Sequence, residues 1–489
     1  MAAPTITPYA GQVPVRTQDQ STFSQNTADM LEYIQTYVPE NNTLGAWMNT
    51  TATQVENDAT TVVTYANSAS SAANYAGEWS TLSGAQNIPL SVSHNGVVWL
   101  LKANTADITL IEPSYSSSEW LPVSTFLKST GFTVTVGASG DFTDLQSAID
   151  YVSNFIPVAN STPVRAEISL LSGFVMAEQI IIDGLNLGWV DITGVDATTT
   201  ITRSSITAVT REYAATSAKA VFTGRNGAIM PKIKQQFGFD SSGSSVGVCG
   251  LLLENSQAAI DNGGFSGEAE DNLYVLNSRV LLFNTVDLSG ALSSGIESYN
   301  STVIGSNLVD CSGCARGLYA VSSSINIDNL NATSSGSYAV VLYFCNSRLF
   351  DLNGNNSSLG ALISGGFANI ESSTFNSCTS TDSSDAVILI EDAARVAAKL
   401  TSITGSLCGY SVRISDSSSA DFETLSSTNT VYYGLFCNDG STCSIRDASV
   451  SGNLGDVICL DGSTINAHGA TASFNIAINT LTADGIIFQ

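Results

Sequence analysis

The chain has 489 residues, 43% of them hydrophobic and only 12% charged, with 43 acids against 17 bases and a formal charge of −26. Such a field repels phosphate backbones and anionic lipid surfaces, which argues against a nucleic-acid partner or a basic membrane-surface protein. Low charge with abundant Ser, Thr, Asn and Gly fits instead a chain of strands and tight turns, long enough to bury a large core.

The opening "MAAPTITPYAGQVPV" lacks a basic segment followed by an apolar run, and no stretch approaches the ~18 apolar residues that would span a bilayer. Neither Sec export nor membrane insertion is expected. From Met48 onward, residues at alternating steps of four and three are Met48, Ala52, Val55, Ala59, Val62, Ala66, Ala69, Ala73 and Ala76, all apolar. This heptad seam predicts a helical coiled coil over 44–76, thin because most of its residues are Ala.

Gly77 ends the pattern, and a small β module is expected over 77–124. Within it "SVSHNGVVWLL" reads as two strands joined by an Asn95-Gly96 turn. Trp79, Trp99 and Trp120 lie in the same segment, and the arrangement resembles small chitin-binding-type carbohydrate modules. The three indoles are therefore candidates either for sugar stacking or for the core of so small a unit.

A β region is expected over 125–489. It opens with "FTVTVGASGDFTDLQSAIDYVSNF", a strand, a Gly turn and an amphipathic capping helix at about 143–155. Thr143 and Gln146 make a capping-box pattern, and Leu145, Ile149, Val152 and Phe155 give one apolar side. Beyond Val275 the first core residue after each turn forms the series Ile296, Leu318, Val340, Leu362, Ile388, Val412, Leu435 and Val457. A second series runs Val280, Val303, Ile325, Leu349, Ala368, Ala394, Ala420, Cys443 and Ile465, and both repeat at about 23 residues. Short period-2 strands at that spacing predict a mainly β fold, a parallel β-helix whose coils bury their apolar faces on one another.

All nine cysteines lie between Cys249 and Cys459 and are expected as reduced structural thiols, including the single C-x-x-C of Cys311 and Cys314. Cys437 and Cys459 each follow a core anchor by two and should point inward. Asp392, Asp416, Asp439 and Asp461 each lie four residues after an anchor, the last two inside a repeated "DGST". A solenoid corner accounts for them, since Asx side chains favour turns, and they remain weak candidates for a divalent cation. No EF-hand spacing occurs, and no dinucleotide or phosphate-loop pattern, so no cofactor is expected.

Arg203, Arg211, Lys219, Arg225, Lys232 and Lys234 form a basic island, suited to neutralising acidic neighbours, a subunit contact or an anionic glycan. The G-x-S-x-G match at 243–247 lacks the histidine partner a nucleophile elbow needs, and a Ser- and Gly-rich chain produces such a match by chance. Acids are plentiful, among them Glu254, Glu268, Glu270, Glu297, Glu371 and Glu391, but spacing alone does not pair any two as an acid and a base.

The order of "FSQNTADMLEYIQTYVPENNTLGAWMNTTATQV", "HNGVVWLL", "VTVGASGDFTDLQSAID" and "SGFVMAEQIIIDGLNLGWVDITG" resembles bacteriophage tail fibres and tailspikes built on a pectin-lyase-like right-handed parallel β-helix. The resemblance implies a homotrimer in the virion tail, assembled in the host cytoplasm. It implies attachment of region 1–43 to the tail or its adaptor proteins. Coil-like sequence continues nearly to "TADGIIFQ", so host recognition is expected on the β-helix flank or tip. The expected activity is binding of a host-surface glycan or receptor, with polysaccharide cleavage by a tailspike depolymerase, a glycosidase or lyase, as the alternative.

Overall fold

The computed structural model describes residues 10, 13, 15, 19–94, 97–114, 117–122, 126–128, 130–157, 163–209, 218–240, 248–267, 270–380, 382, 384–399, 401–404, 407–452, 454–472 and 486–488. The chain divides into two compact units, Met1–Thr125 and Phe126–Gln489.

In the first unit, helix α1 spans Gln20–Ala73. The Asp19 carboxylate starts it by accepting from the amides of Ser21 and Thr22, both at 3.0 Å, which satisfies donors that have no partner in the first turn. The helix reaches well before the expected seam and carries Pro39 internally. Met48 and Val55 are 58% and 61% exposed on the single chain, and Ala52 is exposed as well. The side chains of Ala59, Val62, Ala66, Ala69 and Ala73 lie outside the described residues. Ala76 falls beyond the helix, in the strand Tyr75–Glu78.

That strand opens a four-stranded sheet with Ser91–His94, Val97–Leu101 and Trp120–Pro122. His94 pairs with Val97 across the expected hairpin, whose Asn95 and Gly96 are outside the described residues.

The second unit is a parallel β-solenoid of about 12 turns. Its first sheet stacks twelve strands, from Ile180–Asp183 to Gly455–Cys459, each in parallel register with the next coil. A second sheet begins with Phe132–Val136 and Ala166–Leu170 and continues to Thr464–Asn466 and Ile486–Phe488. A third, shorter sheet contains Ser402–Thr404, Ser426–Thr430, Ser449–Gly452 and Thr471–Ala472. At ~4.8 Å per strand the coils stack to roughly 50–60 Å.

The period-2 pattern sends alternate residues inward, where one continuous core runs from Val134 to Ala467. Ile296, Leu318, Ile388 and Val412 are fully buried within it, and Phe222, Phe237 and Phe265 pack at 5.3 to 5.6 Å near its amino-terminal end.

The first anchor series needs one correction: the residue in register with Val340 and Ile388 is Ala361, not Leu362. One coil is a residue shorter and the next a residue longer, so equal apolar character at 361 and 362 hides the slip. In the second series Ile325 pairs with Ser347 rather than Leu349, and Ala368 with Val396 rather than Ala394. A two-residue slip keeps the same face, and both Leu349 and Ala394 are buried.

Helix α2 spans Leu145–Ser153 and buries Leu145, Ile149 and Val152. Its N-cap is Asp144, which accepts from the Ser147 amide at 2.8 Å, rather than Thr143. Asp fills the capping role as well as Thr, and Gln146 turns instead to the Ile181 amide and Asp150. Phe155 lies past the helix, in the strand Phe155–Pro157.

The polar residues are as structural as the apolar ones. After the first sheet the chain turns through a left-handed residue: Asn255, Asn277, Asn300, Ser322, Phe344, Gly365, Asp392, Asp416, Asp439 and Asp461 all have positive φ, between 47° and 67°. Next to that corner runs a serine ladder. The amides of Ser256, Ser278 and Ser301 donate to the hydroxyls of Ser278, Ser301 and Ser323 in the following coil, at 2.9 to 3.2 Å. Each of these hydroxyls donates to a carbonyl two residues earlier in its own coil, as Ser278 does to Leu276 at 2.6 Å. The ladder resumes at Ser418, Ser441 and Ser463. Buried amides at a corner need such partners, which gives these serines a physical use.

Candidate functional site on the outer face of the first sheet

The outward positions of the first sheet form columns in register. One column contains Tyr274, Glu297, Tyr319 and Val341, and the next, two residues on, contains Leu276, Tyr299, Val321 and Tyr343. Tyrosines alternate between these columns, one per coil. Their ring centroids are 5.7, 6.0 and 5.9 Å apart from Tyr274 through Tyr299 and Tyr319 to Tyr343, and all four rings are half-buried. The result is an aromatic stripe along the solenoid flank.

A carboxylate pair lies beside the stripe. Asp271, which opens the strand Asp271–Leu276, is 5% exposed and lies beside Glu297 of the next coil. The Ser294 amide donates to Asp271 at 3.0 Å. Glu297 accepts from Tyr299 Oη at 2.7 Å, from Ser294 Oγ at 3.2 Å and from Arg316 at 3.3 Å, and the Arg316 guanidinium lies 4.3 Å from the Tyr319 ring centre. Glu297 thereby orients two rungs of the stripe, one directly and one through Arg316. Burial, then the adjacent Glu297 charge, pushes the Asp271 carboxyl up to about 7, so it gains and loses its proton near neutral pH. Burial and Glu297 likewise raise the Tyr299 phenol.

Chemically the pair is an acid beside a carboxylate, yet glycosidase carboxyls stand about 5 Å apart or more to admit a sugar or water. Here Ser294 bridges the two carboxyls, its amide donating to Asp271 and its hydroxyl to Glu297, and Asp271 is buried rather than open to a cleft. The arrangement organises a surface of rings and polar groups more readily than it flanks a scissile bond.

Other sequence candidates fall elsewhere. Trp99 and Trp120 are each 2% exposed, and their indole N–H groups donate to the carbonyls of His94 and Ile111. They fill the interior of the four-stranded sheet and have no open face for a sugar. Trp79 is half-buried, donates to Ile108 and meets the His94 ring edge-on.

Asp392, Asp416, Asp439 and Asp461 occupy the left-handed corner, and Gly440 and Gly462 continue the turn with φ of 70° and 73°. The repeated "DGST" is thus one corner made twice: a left-handed Asp-Gly, a ladder serine and the first residue of the next strand. The carboxylates accept from nearby side chains, Asp392 from Ser364, Asp416 from Ser415 and Asp439 from Asn438. Among the described residues no group of three or more His, Cys, Asp and Glu side chains is placed to hold a metal ion.

The basic island disperses into cross-coil ion pairs: Arg225 with Asp183 at 2.8 Å, Lys232 with Asp261 at 3.2 Å and Lys234 with Asp191 at 2.9 Å. Arg203 is buried, and Arg211 lies outside the described residues, as does the 243–247 segment. All nine cysteines are buried and none forms a disulfide, and Cys437 and Cys459 are in register. Burial pushes the Cys378 and Cys437 thiols up to about 12.

Of the acids noted in the sequence, Glu297 lies within the stripe and its neighbour Asp271 is 26 residues away, while Glu254 and Glu391 extend the second column on either side and Glu268 lies outside the described residues. The missed signal is a tyrosine spacing of 25, 20 and 24, which is the coil length of 23, 22 and 22 with two residues alternately added and removed. Compared with known proteins, the chain matches no family model and no curated protein.

Proposed function

We propose that this protein is a host-attachment subunit of a phage tail fibre or tailspike, and that its solenoid flank binds a glycan of the host surface. The observation that carries the reading is the tyrosine stripe. Pyranose rings offer an apolar C–H face and a rim of hydroxyls, and a row of half-buried phenols beside Glu297 and Arg316 complements both. The solenoid, in this proposal, has the right-handed pectin-lyase-like winding, and the region before it joins the tail or its adaptor proteins.

The same reading makes the chain a homotrimer. Met48, Ala52 and Val55 form an exposed apolar seam on α1, and a parallel coiled coil would cover it. Sedimentation equilibrium of the full chain tests this. Three chains per particle are expected, and a monomer at micromolar concentration would refute the assembly.

Glycan binding is tested by mixing full-length protein with polysaccharides from bacterial envelopes and comparing wild type with Tyr319→Ala. Loss of at least tenfold in affinity is expected, and equal binding would refute the stripe as the site. A second reading, a depolymerase, draws support from the raised Asp271 carboxyl beside the stripe. Release of reducing ends or unsaturated sugars by wild type, abolished in Glu297→Gln, would favour it over pure binding.

A further inference from the structure

At the left-handed corner the coils use Asn, Ser, Gly or Asp, residues that tolerate positive φ. Phe344 breaks the series. It has φ of 53°, a genuine outlier for a bulky side chain, and it is 63% exposed, so its ring recovers little from burial within the chain. The next coil is shaped around it. A Cβ on Gly365 would stand 2.4 Å from Cδ1 of Phe344, so only glycine lets the ring lie there. Two residues on, Phe367 is 44% exposed in a column whose other members from Gln257 to Thr464 are polar, between exposed Asn346 and Arg395.

We propose that Phe344 and Phe367 form a stacking platform for a pyranose ring, an end subsite of the glycan-binding flank. The inference rests on the glycan reading above and assigns it a second, separate contact. Tyr343, the last rung of the stripe, immediately precedes Phe344 in the chain, which puts the corner at the end of the stripe. Size decides between a sugar and a protein. Two aromatic side chains bury about 150–250 Å² each at most, well short of the ~800 Å² per partner of a stable protein interface. Asn346 and Arg395 flank the rings with hydrogen-bonding groups suited to hydroxyls.

The test uses full-length protein and a printed panel of bacterial capsular and O-antigen polysaccharides. Phe344→Asn places at this corner the residue that Asn255, Asn277 and Asn300 already supply, so folding is retained and the melting midpoint serves as the control. Binding to the polysaccharide recognised by wild type should weaken at least tenfold in Phe344→Asn and persist in Phe344→Tyr. Undiminished binding by Phe344→Asn overturns this subsite, while the stripe stands or falls separately on Tyr319→Ala. Retention by Phe344→Leu also overturns it, because a generic apolar contact needs no aromatic face. A wild type that binds nothing on the panel overturns both the glycan reading and the subsite.

Discussion

Replacing Asp271 by Asn should stabilise the solenoid at pH 8 and leave it unchanged at pH 4. Asn keeps the shape, still accepts from the Ser294 amide and can donate to Glu297, but it never ionises. In the folded chain the Asp271 carboxyl is raised from 3.8 to about 7. Between those values the native state holds a proton that the unfolded chain has released, so stability falls as pH rises through that window and the deficit is complete above it. About 3 pKa units at ~1.4 kcal/mol each give a ceiling of about 4 kcal/mol. Coupling to Glu297 broadens the transition. Scanning calorimetry of both proteins at one scan rate checks this, because large proteins often unfold irreversibly. The melting midpoint of the variant should exceed wild type by several degrees at pH 8 and match it at pH 4. An equal midpoint at pH 8, or a difference independent of pH, would refute the raised Asp271 carboxyl.

The serine ladder makes a second prediction. Ser441→Ala removes the hydroxyl that accepts from the Ser418 amide at 3.2 Å, and an orphaned buried amide costs about 1–3 kcal/mol. Exposed Ser324→Ala should change stability by no more than ~0.5 kcal/mol. Equal urea midpoints for these two variants would show that the ladder contributes nothing. Thiol labelling gives a third. The native chain should resist iodoacetamide at pH 8, since all nine cysteines are buried, whereas nine should react in guanidinium. Several reactive thiols in the native state would contradict the packing of the inward columns.

The fold is legible in the sequence because its signal is redundant. Two apolar series share one period, and the in-register pairs of the structure depart from them only at Leu362, Leu349 and Ala394. A coil can shift by a residue within a corner while neighbouring side chains remain apolar, so hydrophobicity fixes the period more firmly than the register. The serines, by contrast, read as turn filler. Their function appears only once stacking brings the Ser278 hydroxyl to the Ser256 amide 22 residues away.

The candidate site is hidden for a related reason. Inward columns are apolar in most coils, Ser347 being an exception, so they repeat visibly, whereas an outward column is free to change residue from coil to coil. The four tyrosines use that freedom by alternating between two columns, and Asp271 meets Glu297 across coils at a spacing that is no multiple of the period. The tryptophans stand out for being rare, but a small sheet has few large side chains with which to fill its interior, and Trp99 and Trp120 serve there. On a stacked scaffold, repetition therefore marks what holds the coils together. Breaks in repetition mark what the surface can recognise, and Phe344 is the sharpest of them: a bulky ring held at positive φ where the neighbouring coils carry residues that fit without strain.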